Sequence, residues 1–532
     1  MGEKATALVY PFDSPPAGDD VERRRLLGGK GAGLASMTAD GLPVPPGFTL
    51  TTEACLRHRD LGWDESLDAA LREGLRALER SSGKRLGDPA SPLVVSVRSG
   101  AATSMPGMMD TVLNVGLNAT VEAALAASTG DATFAADTRC RALRSHASVV
   151  GGATDELLAP LETVDDPDRL QAALADAGIV VPEDPVDQIV AAVRAVFASW
   201  SAPRAIAYRE VEGIDHDLGT AATVQAMVFG NLGERSGTGV AFSRDPATGE
   251  PGLMGDFLPA AQGEEVVSGD HATLPLSEMA SRWPDQYDEL VRTADLLERR
   301  SADMVDLEFT VEDGRLWMLQ SRRAKRSPIA TLRAAVDMAE DPSFPLDRAE
   351  AVARCARLLA DPPTVEPQPD TSAGVVIASG LPASPGTATC VLCLDPDDAV
   401  EREAAGDSVV LVRHETSPAD IHGMAASAGL FTLLGGLVSH AAVVARDWGL
   451  PAVVGASEAR ITDTGLEGPG GHVAVGTVVT VDGSAGTLAL GQAGDPGEVT
   501  DRREEAPEVA TIRVWARELG LDPACSCRLT PP

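Results

Sequence analysis

The stretch "DPPTVEPQPDTS" at 361–372 divides the chain more sharply than any other feature. Four prolines in twelve residues fix φ and withhold backbone donors, so neither a helix nor a central strand is expected to run through it. It reads as an extended, semi-rigid linker, and the main domain boundary is placed there. At 532 residues the chain is in any case too long for one ordinary core.

Ahead of the linker, residues 1–115 read as mixed α/β, with a glycine turn at 28–33 and a short strand at 92–97. Residues 119–212 are Ala-rich with helical periodicity, as in "VDQIVAAVRAVFASW" at 186–200. Strands return in "ATVQAMVFG", "TGVAFSR" and "MVDLEFTVEDGRLWMLQ", the last turning as a hairpin at Glu312-Asp313-Gly314. Residues 328–360 read as one or two helices. Beyond the linker, short Val-rich strands alternate with short helices and glycine turns from 373 to about 495. Within them, Ser417 is the expected N-cap of a helix whose first residue is Pro418. The tail from 496 is acidic, then offers one amphipathic helix, "EVATIRVWARELGL".

The net charge of −35 argues against nucleic acid as a partner, since a phosphate backbone would be repelled almost everywhere. A phosphorylated ligand would need a locally positive pocket. No apolar run is read as reaching the length of a membrane span, and no basic start precedes an apolar h-region, so no membrane partner is expected. Seven irregularly spaced cysteines suit a reducing cytoplasm. Cys390 and Cys393 form a C-x-x-C, but in a strand these positions face opposite sides.

Four stretches could carry chemistry. In "GGLVSHAAVVAR" a strand and glycine turn lead into a helix starting at Ser439 or His440. There the free N–H groups and the helix dipole favour an anion, and neutral imidazole is a good phosphoryl acceptor. A plain helix-capping histidine fits the same residues. In "LLGGKGAGLASM" the glycines permit close backbone approach to phosphate, and Lys30 supplies a flexible charge, though no Walker A pattern is present. A glycine-rich helix entry fits as well. "SVRSGAATSMPGMMDT" couples Arg98 at a strand end to Ser99, Gly100, Thr103 and Ser104, a set able to clamp a polyphosphate. In "DLEF…WMLQSR", Asp306 and Glu308 share one strand face, and Gln320 and Arg322 lie likewise on the hairpin partner. That set suits Mg²⁺ and phosphate, or equally a surface ladder of ion pairs.

Taken in order, these stretches resemble the pyruvate, phosphate dikinase family, over nearly the whole chain. "LLGGKGAGLASMTADGLPVPPGFTLTTEAC", "SVRSGAATSMPGMMDTVLNVGLN", "VFASWSAPRAIAYR", "VQAMVFGNLGERSGTGVAFSRDPATGE" and "GGLVSHAAVVARDWGLPAVVG" carry the resemblance. It implies an α/β multidomain chain: an ATP-grasp nucleotide-binding domain at 1–330 with a helical insertion at about 119–212, and a helical and Pro-rich linker at 331–372. A swivelling β/β/α phosphohistidine domain follows at 373–495, then a tail with one helix at 496–532. His440 falls on the family's phosphorylated histidine. Lys30, Arg98, Thr238, Gly239, Asp306, Glu308, Gln320 and Arg322 match its nucleotide, phosphate and metal positions. The implied reaction converts ATP and phosphate to AMP, pyrophosphate and a phosphohistidine, with Mg²⁺ on Glu308, Asp306 and Gln320.

The chain also departs from the family. The barrel that holds pyruvate does not follow the tail helix, so a separate protein is expected to supply the phosphoryl-acceptor site. Val438 replaces a Thr two residues before the histidine, Leu434 an Arg, Cys140 one of two adjacent arginines and Asp256 a Glu. Two other readings stay open: a catalytically degenerate nucleotide-binding regulator, and a phosphocarrier charged by another enzyme.

Overall fold

Packing divides the chain into two units, Met1–Leu232 with Trp317–Gln320, and Gly233–Leu316 with Ser321–Pro532. The computed structural model describes residues 7–103, 105, 108–263, 265–268, 273–365, 375–417, 420–491 and 504–521.

The first unit is built on five strands, β1 (Val9–Pro11), β2 (Gly47–Leu50), β3 (Val95–Gly100), β4 (Thr111–Val115) and β5 (Ala221–Ala226). They form an antiparallel sheet in the order β1-β2-β5-β3-β4. Helix α1 (Asp20–Ala39) begins at a capping box in which Asp19 and Glu22 satisfy one another's amides. Helix α2 (Glu65–Ser82) is capped by Asp64, and its Leu67, Leu71, Leu75 and Leu78 recur along one face. That face joins Phe48, Val95, Val97 and Val224 in a fully apolar core. The Ala-rich 119–212 is helical as expected and ends in α3 (Pro185–Ser199) and α4 (Pro203–Glu212).

One expectation needs correction here. Residues 185–210 are long and apolar enough to cross a membrane by length and composition, with a mean hydropathy of 1.2. The run is nevertheless broken into α3 and α4, and Ile189, Val193, Val196 and Phe197 of α3 face the core of the sheet.

The glycine turn expected at 28–33 also differs. It is a kink inside α1, where Gly28 adopts φ 68° and ψ 169°. A Cβ on Gly28 would lie 1.8 Å from the Gly100 carbonyl oxygen, so only glycine admits the end of β3 at this point.

In the second unit, β6 (Gly237–Arg244), β7 (Pro251–Pro259), β8 (Leu274–Pro275), β9 (Val305–Glu312) and β10 (Arg315–Arg323) form a sheet in the order β10-β9-β6-β7-β8. The β9–β10 hairpin turns at Asp313 and Gly314, with φ 44° and 79°, the paired positive values of a tight hairpin turn. Helix α5 (Pro284–Ser301) precedes β9. Helices α6 (Pro328–Glu340) and α7 (Arg348–Ala360) follow β10. Then β11 (Thr364–Val365) closes the described part of the Pro-rich stretch.

A sheet of eight comes next, with β12 (Val376–Ser379), β13 (Leu381–Ser384), β14 (Thr387–Cys393), β15 (Val409–Arg413), β16 (Gly429–Thr432) and β17 (Ala452–Val454). A three-stranded sheet of β18 (Arg460–Thr462), β19 (Gly465–Gly468) and β20 (Gly471–Ala474) interrupts it before β21 (Val478–Asp482) and β22 (Thr487–Leu490) complete it. Its centre, β14 to β17, is parallel, with helix α8 (His440–Trp448) crossing between β16 and β17. Cys390 and Cys393 enter different apolar clusters on opposite faces of β14. Cys525 and Cys527 lie outside the described residues.

Strand β23 (Glu504–Glu505) returns antiparallel to β11, pairing Thr364 with Glu505 and Val365 with Glu504. The tail helix α9 (Pro507–Glu518) then lays Val509, Ile512 and Trp515 against Leu332, Val352, Cys355 and Leu359 of α6 and α7. Thus the segments that lead into and out of 375–491 are joined to one another.

Candidate active site

Register places the acidic residues of the second unit on one sheet face. Val240 of β6 stands opposite both Asp256 of β7 and Glu308 of β9, and Phe242 opposite both Met254 and Asp306. Directly opposed residues share a face. Asp306 is buried, and both its carboxylate oxygens accept from Arg322 Nε, at 2.9 and 2.8 Å. Burial pushes the Asp306 carboxyl up to about 6, against the opposing pull of Arg322. Arg322 is in turn held more firmly protonated by Asp306.

Glu308 is half-buried two residues along the same strand. Two carboxylates on one strand face offer the hard oxygen donors that Mg²⁺ takes, with its remaining positions left to water and phosphate. Among the described residues there is no cluster of three His, Cys, Asp or Glu able to hold a metal by themselves. Gln320 lies half-buried on β10. Thr238 lies on the acidic face and donates its hydroxyl to the Phe309 carbonyl at 3.1 Å. At Gly239, a Cβ would meet the Phe309 ring at 2.4 Å.

His440 is the first residue of α8. Ser439 caps that helix, its Oγ accepting from the Ala442 amide at 3.4 Å. The ring is fixed by Thr416, whose Oγ1 lies 3.1 Å from His440 Nδ1. That contact leaves Nε2 as the other ring nitrogen available for chemistry. Burial lowers the pKa of His440; Asp420 opposes the shift, and Lys325 adds to it. The imidazole is therefore neutral at pH 7.

Asp420 is itself engaged with Arg413 at 3.2 Å, and accepts from the Ser417 amide at 2.7 Å and hydroxyl at 3.0 Å. The expected helix start, with Ser417 as N-cap and Pro418 as first residue, falls on residues 418–419, outside the described ones; the described helix runs Ile421–Ala425.

The loop before His440 rests on the acidic sheet face. A Cβ on Gly436 would fall 2.2 Å from Asp256 Oδ2, so the backbone there lies directly against the carboxylate. Val438, 5% exposed, enters the apolar cluster of Val240, Phe242 and Leu258. At the far end of α8, Asp447 pairs with Lys325 at 2.5 Å. Burial raises the Asp256 carboxyl, with the Val438 and Leu437 amides and Arg446 acting against the rise. Thr416, Lys325 and Arg446 are site residues that sequence reasoning missed. The only signal for Thr416 was the polar run "HETSPAD" at the end of a Val-rich strand.

In the first unit, the Gly28 kink brings Lys30 beside the end of β3. A Cβ on Gly100 would lie 3.3 Å from Lys30 Cβ, and the Gly29 amide donates to the Ala101 carbonyl at 2.8 Å. Arg98, two residues before Gly100, is buried, and its Nη2 donates to Gln225 Oε1 and, at 3.4 Å, to the Leu319 carbonyl. Thr103 is exposed, and Ser104 lies outside the described residues.

Two family models match the chain. "Pyruvate phosphate dikinase, AMP/ATP-binding domain" covers residues 58–275, and "PEP-utilising enzyme, mobile domain" covers 405–486. The fold is thus an ATP-grasp nucleotide-binding domain with a helical insertion, followed by a β/β/α swivelling domain. The chain belongs to the pyruvate, phosphate dikinase family. It is 43% identical over 523 residues to pyruvate, phosphate dikinase of Rhizobium meliloti (strain 1021), covering 91% of this chain and 58% of that protein. It is 40% identical over 536 residues to the Clostridium symbiosum protein of the same name, covering 96% and 60%. The chloroplastic protein of Mesembryanthemum crystallinum is 43% identical over 520 residues, covering 92% and 54%. The chain therefore spans a little over half the length of these relatives.

Proposed function

We propose that this chain is a phosphotransferase in which ATP, with phosphate, phosphorylates His440 and yields AMP and pyrophosphate. In the first unit, Lys30 and Arg98, with Gly100, Thr103 and Ser104, meet phosphate. Thr238 and Gly239 border the nucleotide, Asp306, Glu308 and Gln320 take Mg²⁺, and Arg322 offsets developing charge. The metal, when bound, neutralises phosphate charge and aligns the phosphoryl group. Neutral Nε2 attacks the β-phosphorus of ATP and forms the P–N bond while the bond to the α-phosphate oxygen breaks and AMP leaves; phosphate then attacks the terminal phosphorus of the resulting pyrophosphoryl group, so that pyrophosphate leaves and one phosphoryl group stays on His440. For the attack by Nε2, Nδ1 carries the ring's proton and donates it to Thr416 Oγ1, 3.1 Å away. Catalysis is then a matter of position and charge.

The observation that best supports this reading is that the His440 loop lies on the same sheet face as Asp306 and Glu308. The phosphoryl group would pass to pyruvate, or another acceptor, held on a separate protein. We take the functional divisions to be 1–330, 331–372, 373–495 and 496–532, and the setting to be the cytoplasm, without nucleic-acid or membrane partners.

The test is intact mass after incubation with Mg²⁺ and ATP, with and without phosphate, beside His440→Ala. One acid-labile phosphoryl group absent from the variant, with pyrophosphate formed only when phosphate is present, is the expected result. Nucleotide binding without any adduct would overturn the proposal.

A further inference from the structure

Arg446 lies six residues after His440 on α8 and is 1% exposed, with the largest of the fully buried side chains. Its Nη2 donates to the Leu437 carbonyl at 2.7 Å and its Nη1 to the Ala383 carbonyl at 3.0 Å. Two neutral carbonyls do not compensate a buried guanidinium, which needs opposite charge. The carboxylates that act on Arg446 are Asp245, Asp256 and Asp306, and every one of them comes from the segment carrying β6, β7 and β9. The guanidinium carbon also lies 5.5 Å from the centroid of the Phe242 ring on β6. A cation on the histidine's own helix thus has these opposing charges on the sheet on which the histidine's loop rests.

We propose that Arg446 is a positioning residue: it ties the 435–439 loop, through the Leu437 carbonyl, to the acidic face of β6, β7 and β9, so that His440 is set for transfer only while α8 is docked there. Leu437 is flanked by the two residues that touch the sheet, Gly436 against Asp256 and Val438 in the apolar cluster. Holding the carbonyl between them fixes both contacts at once. The docked arrangement is not fully satisfied. Arg446 Nε and Asp256 Oδ2 are buried without a hydrogen-bond partner among the described residues. Such atoms oppose burial and keep the docking reversible.

The inference rests on the reading that ATP phosphorylates His440, and the experiment separates the two. Arg446→Met and Arg446→Lys would be compared with the unaltered chain in three measurements: His440 labelling from Mg²⁺ and ATP, His440 labelling by phosphoramidate, and amide hydrogen exchange. Phosphoramidate phosphorylates an accessible imidazole without any docking. For Arg446→Met, ATP-driven labelling is expected to fall about 100-fold, the cost of a misplaced reacting group. Phosphoramidate labelling is expected to stay unchanged. Exchange in 251–259 and 435–439 is expected to rise together, about tenfold or more, while 441–445 stays protected. Arg446→Lys, which keeps the charge and one carbonyl bond, should fall between.

Unchanged protection of 251–259 in Arg446→Met overturns the proposal, as does wild-type labelling from ATP. Loss of protection in 441–445 together with loss of phosphoramidate labelling overturns it too, by showing a purely structural role. If the unaltered chain takes phosphoryl from phosphoramidate but never from ATP, the phosphotransferase reading fails, and the exchange measurement still decides the docking role of Arg446.

Discussion

Thr416 Oγ1 and His440 Nδ1 stand 3.1 Å apart, bridging the loop after β15 to the first turn of α8. One hydroxyl thereby holds the ring and aims the opposite ring nitrogen. Replacing it by Thr416→Val should free the ring. ATP-driven labelling is expected to fall about 10- to 100-fold, and phosphorus NMR of the labelled protein should show both phosphohistidine isomers in place of one. Thr416→Ser should restore a single isomer. A single isomer at the wild-type rate in Thr416→Val would remove Thr416 from the site.

Gly436 is predicted to tolerate no side chain while the loop is docked, because a Cβ would meet Asp256 Oδ2 at 2.2 Å and Thr273 Oγ1 at 2.8 Å. Gly436→Ala should cut labelling about tenfold or more. Asp256→Ala on that background should return part of the loss, a coupling expected only of residues in contact. Equal losses in the single and double variants would show that the two do not touch.

The pH dependence follows from the direction of the His440 shift. Its folded pKa lies below the ordinary value of 6.5. Between those two values the unfolded chain binds the proton and the folded chain does not. Stability from this group is thus complete above 6.5 and is lost as pH falls through the folded value. Labelling from ATP should be level above pH 6.5 and decline only below it. A rate still climbing between pH 6.5 and about 7.5 would mean that the imidazole is charged there.

Trp515 anchors the tail helix α9, buried in the α6–α7 cluster with the Arg348 guanidinium 5.1 Å from its ring centroid. Trp515→Ala should cost about 3–5 kcal/mol in the stability of this layer, read as an earlier urea transition in which α6 and α7 also lose exchange protection. A transition unchanged in midpoint would show that the tail contributes nothing to the layer.

What could be read from the sequence was local. The Asp313-Gly314 turn, the helix start at His440 and the helical run 119–212 depend on neighbours within a few residues, and each forms as expected. The acid pair Asp306 and Glu308 needed only the two-residue period of a strand. Partners chosen across distance were invisible. Nothing in "HETSPAD" announces that Thr416 meets a ring 24 residues on. Arg446 at the end of a short helix looks like an ordinary partner for the helix dipole; only the approach of β6 and β7 makes it a buried cation. Gly28 was read as part of a turn because the sequence does not show that Gly100 must fit beside it.

The pairing of β11 with β23 has a further consequence for how tightly the histidine-bearing segment needs to bind. Residues 375–491 are tethered at both ends to one place, so leaving the sheet does not dilute them into bulk solvent. A short tether holds its cargo at an effective concentration on the order of millimolar. Contacts with an intrinsic Kd in that range are enough to keep the docked form half populated. A stronger grip would slow release of the segment, and the two buried atoms without hydrogen-bond partners among the described residues, Arg446 Nε on α8 and Asp256 Oδ2 on the sheet, weaken it.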